Sequence, residues 1–134
     1  MRKLIAGLAL LLTASVSPAL AQTALQATTQ YQIPIIGTVA TSTKIVSNVS
    51  GKRIYVTALL LAPVATSVVT FTYGTGTNCG TGTTSITGAM AFASGGSITF
   101  GDGSGAVFVV PPSNDLCLTI GTAAAPGSLA YAQF

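Results

Sequence analysis

Past residue 30 the chain alternates short apolar runs with clusters of Gly, Pro, Ser, Thr and Asn. Thr, Val, Ile, Tyr and Phe dominate the runs, residues that suit a pleated, half-buried surface. The pattern predicts strands over 31–36, 43–47, 52–61, 67–73, 86–93, 97–100, 107–110, 116–120 and 128–134. No window of eleven or more residues carries a helical stripe free of Gly and Pro. About eight short strands at close spacing predict an all-β domain, an antiparallel β-sandwich or jelly roll. The run Ile54-Tyr55-Val56-Thr57-Ala58-Leu59-Leu60-Leu61 is almost continuously apolar and reads as a central strand covered on both faces. Val68-Val69-Thr70-Phe71-Thr72-Tyr73 alternates in its second half, as a strand with one solvated face does. Pro34 has no N–H for a ladder and assigns the first strand to a sheet edge. Between the runs, the longest glycine-laced loop is Gly74-Thr75-Gly76-Thr77-Asn78-Cys79-Gly80-Thr81-Gly82, and 95–96, 101–105 and 111–115 read as further turns.

The N-terminus has a different character. Met1-Arg2-Lys3, the apolar run Leu4 to Leu12 and Pro18-Ala19-Leu20-Ala21 form a basic segment, a short hydrophobic segment and an A-x-A cleavage site. Residues 1–21 are therefore expected to be a cleavable export signal, too short to span a bilayer, which takes roughly 20 apolar residues. Residues 22–30 read as a flexible leader, and 31–134 as a single sandwich domain. Removing Arg2 and Lys3 lowers the net charge from +3 to +1, so the basic balance belongs mostly to the signal. No basic patch remains to neutralise phosphates, and nucleic acid is not an expected partner. Export also decides how the two cysteines read. Cys79 and Cys117 are expected to form a disulfide that pins the long loop to a strand.

Beyond the signal only Lys44, Lys52, Arg53, Asp102 and Asp115 are charged, with neither Glu nor His. That removes most of the groups from which acid, base and metal chemistry is built, so no enzyme, no cofactor and no metal site is expected. Gly101-Asp102-Gly103-Ser104-Gly105-Ala106 fits a dinucleotide-loop pattern, but a strand and two prolines follow it instead of a helix. Asp102 and Asp115 are the only carboxylates available to a glycosidase pair or a calcium core, and both read as turn residues. Serine has no His to activate it, leaving only a Ser-Lys pairing with Lys44 or Lys52. Asn48-Val49-Ser50 is a glycosylation sequon of a kind that arises by chance. The aromatics fall one or two per strand, which reads as sandwich core and not as a sugar-stacking platform.

Tyr73 to Thr84, Thr87-Gly88-Ala89, Val109-Val110-Pro111, Asn114-Asp115-Leu116-Cys117-Leu118 and the ending Ala130-Tyr131-Ala132-Gln133-Phe134 together resemble a group of small β-sandwich proteins met in bacteriophage and phage-rich environmental sequences. The resemblance covers residues 51–134 and is most specific around Cys79. It implies a sandwich associated with virus particles or their surroundings, and it brings no functional residues with it. The expected role is a non-enzymatic structural or accessory subunit of an extracellular or phage-associated assembly, partnered by its own copies or other assembly proteins. The alternatives are a secreted monomeric binding module for a glycan or cell-surface receptor, and a pilin-like fibre subunit donating residues 22–36 as an exchanged strand.

Overall fold

The computed structural model describes residues 30–36 and 41–134. The expected signal and the leader through residue 29 lie outside the described residues. Ten strands form two five-stranded antiparallel sheets. The first contains β1 (Tyr31–Ile35), β10 (Gly127–Gln133), β3 (Ile54–Leu61), then β7 (Ile98–Phe100) and β8 (Phe108–Val110) end to end along β3. The second contains β2 (Ser42–Val46), β9 (Asp115–Ile120), β4 (Ser67–Thr75), then β5 (Thr81–Ser85) and β6 (Met90–Phe92) end to end along β4. Counting each end-to-end pair as one broken strand gives eight, with 1 beside 8, 2 beside 7, 3 beside 6 and 4 beside 5. That nested pairing, split over two sheets, is a jelly roll.

Pairing register determines which residues meet between the sheets. The rows Ile33, Leu129, Leu59, Phe100 and Tyr31, Tyr131, Val56, Phe108 run across the first sheet on its inner face. Val69 with Ile120 and Phe71 with Leu118 do the same in the second. Val56, Leu59, Val69, Phe71, Leu118, Ile120 and Leu129 are all buried. Phe71 reaches across to Phe108 with ring centroids 5.4 Å apart, joining the two sheets through one aromatic contact.

The sequence pattern and the structure differ in three places. β3 is central, but its second face is not covered, and Leu60 is 43% exposed there. A bulge explains the hidden alternation: the register to β10 skips Thr57, whose hydroxyl donates to the Ala130 carbonyl at 3.3 Å. β5 lies in the segment read as the end of the glycine loop and the residues after it. All five of its residues are exposed, so it is held by backbone pairing to β4 and has no apolar face to reveal it. The strand expected over 86–93 is only Met90–Phe92. Before it the backbone N–H groups of Ile86 and Thr87 both donate to the Phe71 carbonyl and bend the chain. Pro34 does lie in an edge strand, and β1 pairs with β10 of its own chain.

Candidate functional site

The outer faces of the two sheets are finished differently. In the second sheet Cys117 and Thr72 of the outward row and the neighbouring pair Asp115, Gly74 are covered by the loop after β4, while Lys44 at the end of that row stays exposed. A single 3-10 turn, Thr77–Cys79, brings Cys79 over Cys117, and the two are disulfide-bonded with Cα atoms 6.2 Å apart. Asn78 and Cys79 both take positive φ, at 51° and 59°, to make the descent. Gly74 is required beneath it, because a Cβ there would lie 2.9 Å from the Thr81 carbonyl oxygen and 3.0 Å from that of Cys79. Thr83 donates to the Cys79 carbonyl and closes the loop.

Beside the disulfide sits the one ion pair among the described residues, Lys44 Nζ to Asp115 Oδ2 at 3.3 Å. Asp115 is the first residue of β9 and 5% exposed, not a turn residue as its neighbours Pro111 to Asn114 imply. Its Oδ1 accepts from both the backbone N–H and the Nδ2 of Asn48, each at 2.8 Å. The sequon asparagine thus spends its side-chain nitrogen on Asp115. Burial alone pushes the Asp115 carboxyl up, but the Asn48 hydrogen bonds and the Lys44 ammonium outweigh it and hold it below the usual carboxylate range. A carboxyl lowered on folding stabilises above its unfolded pKa, near 3.9, and that contribution is lost as pH falls through the folded value. Asp115→Ala is therefore expected to cost about 1.5–3 kcal/mol at pH 7 in urea unfolding, with a clearly smaller gap from the parent at pH 2. An equal cost at both pH values would mean that packing, not charge, is what Asp115 supplies.

Asp102 is where a turn residue should be. Ser104 donates to its Oδ1 from the backbone at 2.9 Å and from the hydroxyl at 2.6 Å, and these bonds lower its pKa. The surrounding glycines answer to the backbone. Gly101 has φ +69°, and a Cβ on it would meet the Thr57 carbonyl oxygen at 2.2 Å. The pattern that resembled a dinucleotide loop is a tight crossing over the β3 bulge. Asp102 stands in the first sheet's β7–β8 loop, whereas Asp115 opens a strand of the second, and they share no partner. Among the described residues no three His, Cys, Asp or Glu side chains gather in one place.

The first sheet's outer face has no such cover. Its rows are Pro34, Ser128, Leu60, Thr99; then Gln32, Ala130, Ala58; then Ala132, Tyr55, Val109. No strand of this sheet carries a charged residue. Leu60, Val109 and the terminal Phe134 are exposed, and Phe134 stacks on Tyr55 at 4.2 Å. Gln32, Ala58, Thr99, Ser128 and Ala130 line a shallow hollow of about 100 Å³ beside Leu60. The aromatics divide accordingly: Phe71, Phe92 and Phe108 serve the core, Tyr31 stands half exposed at the open end of the inner face, and Tyr55 and Phe134 lie on the outer one. Sequence reasoning assigned all of them to the core and so missed this face; the absence of charge from every strand in it was the available signal.

No family model matches the chain, and no curated protein matches it. Among solved structures it is similar to one from work on Bacillus endospore appendages, described as a novel family of disulfide-linked pili. That likeness has 21% identity, covers 78% of this chain and 84% of the other, and has a TM-score of 0.44. It is also similar to one from the T13 IBDV viral particle, with 14% identity over 76% of this chain and a TM-score of 0.41. The match covers 30% of that second chain. At TM-scores below 0.5 neither likeness carries weight for what this chain does.

Proposed function

We propose that the protein is a non-enzymatic structural subunit that associates with its own copies through the outer face of the first sheet. The observation that carries this reading is a sheet face whose strands carry no charge and which nothing covers, whereas the opposite face carries the Lys44–Asp115 pair and is partly covered by the disulfide-bonded loop. Sheet proteins guard exposed edges with charge, Lys above all, and interface cores are depleted of charge and rich in aromatic residues. Two copies meeting over these strands would bring together no charged strand residue, and Lys44 and Asp115 already pair with each other elsewhere. The small residues around Leu60 leave room for a facing side chain. An oxidising extracellular setting is supported by the disulfide and the expected export signal. Association with phage particles is supported by the sequence resemblance.

Leu60→Lys with Val109→Lys tests the face. Both positions are exposed strand sites, where substitution changes folding stability by roughly 0.5 kcal/mol or less. The expected result is a monomer at concentrations where the parent protein is oligomeric. A double variant with the parent's assembly mass would remove this face from the account.

A further inference from the structure

At the open side of the sandwich, between the edges formed by β1 and β2, lies a groove of about 430 Å³ that the assembly reading does not use. Its volume falls in the small-ligand range of roughly 300–1,000 Å³. Ile33 and Ile45 line it with Tyr31 and Tyr131, whose rings stack at 5.4 Å and 30°. Tyr31 is 51% exposed. Gln133 holds one side of the groove in shape by accepting from the Val49 N–H at 3.1 Å and donating to the Ser47 carbonyl at 3.0 Å. Lys52 is the only charged residue in the lining, which includes no carboxylate.

We propose that this groove is a binding site for a saccharide bearing a carboxylate, a uronic or sialic type of sugar. A pyranose has one face of C–H groups that fits against an aromatic ring and a perimeter of hydroxyls that needs polar partners. The tyrosine stack supplies the first, and the Ser47 hydroxyl and the side-chain oxygen of Asn48, which its bonds to Asp115 do not use, are at hand for the second. Because each tyrosine is held by the other, less side-chain freedom remains to be lost on binding. Lys52, unopposed in the lining, selects for the acidic sugar. An extended peptide adding to β1 fits less well, since Pro34 interrupts that edge by removing an N–H.

The test titrates oxidised protein, recovered after export by an expressing cell, with an oligogalacturonate and with its fully methyl-esterified form. Calorimetry gives affinity, and tyrosine-ring NMR shifts give location. The acid form is expected to bind at least roughly tenfold tighter than the ester, a difference that Lys52→Gln abolishes. Tyr31→Ala should weaken both forms while leaving the thermal midpoint in place. Lys52 lies in an exposed turn, so its substitution reads specificity without a folding effect. Equal binding of acid and ester, unchanged binding in Tyr31→Ala, or no shift of either tyrosine at millimolar sugar would each overturn the assignment.

Discussion

Phe71→Ala is expected to lower the free energy of unfolding by about 3–5 kcal/mol, a large share of the roughly 5–15 available to a domain. The ring is fully buried, pairs with Leu118 on its own sheet and meets Phe108 on the other. The remaining aromatic contacts, Tyr31 with Tyr131 and Tyr55 with Phe134, lie within the first sheet or at its end and do not join the layers. Removing Phe71 therefore opens a cavity where the two layers touch, and rigid strands on both sides limit collapse into it. Urea unfolding should show a lower midpoint with an unchanged slope. A cost below about 1 kcal/mol would show that Phe71 does not hold the sheets together.

Removal of the disulfide should have an effect of similar size. Cys79 and Cys117 are 38 residues apart, and closing a loop of that length restricts the unfolded chain by about 4 kcal/mol in the chain-entropy description. Paired replacement, Cys79→Ala with Cys117→Ala, avoids placing a hydroxyl where both sulfurs are now buried. The loop then loses its tether over Thr72 and Asp115, so the pH dependence assigned to Asp115 should weaken too. Thermal unfolding of the oxidised parent and the variant reads the difference, roughly 4 °C per kcal/mol for a domain of this size. A midpoint shift of only a few degrees would mean that the loop stays seated without its bond.

Cysteine count and an expected export signal were enough to pair Cys79 with Cys117, because two cysteines in an oxidised chain have one partner each. The strands with a clear apolar side were equally legible. β5 was not, since Thr81-Gly82-Thr83-Thr84-Ser85 buries nothing and exists as a strand only because β4 offers it a ladder. The true character of β3 was hidden for the opposite reason. Tyr55, Ala58 and Leu60 point away from the core yet are apolar, so periodicity reported a strand buried on both faces. Asp115 looked like a turn residue from its neighbours, and its partners Lys44 and Asn48 lie far away in sequence. A lone carboxylate heading the apolar run Leu116 to Ile120 was the local hint. Strand order followed from long-range pairing, which no short stretch of sequence records.

The central claim is that this sandwich is built to meet copies of itself across an uncharged face. Its most direct test is the solution mass of the oxidised protein, measured by light scattering after size exclusion over a range of concentrations and at two ionic strengths. The account predicts a mass that rises from the monomer to a defined oligomer or polymer in the micromolar range, with little response to salt because no ion pairs form the contact. A monomer at every concentration, or an association that salt dissolves, would contradict it.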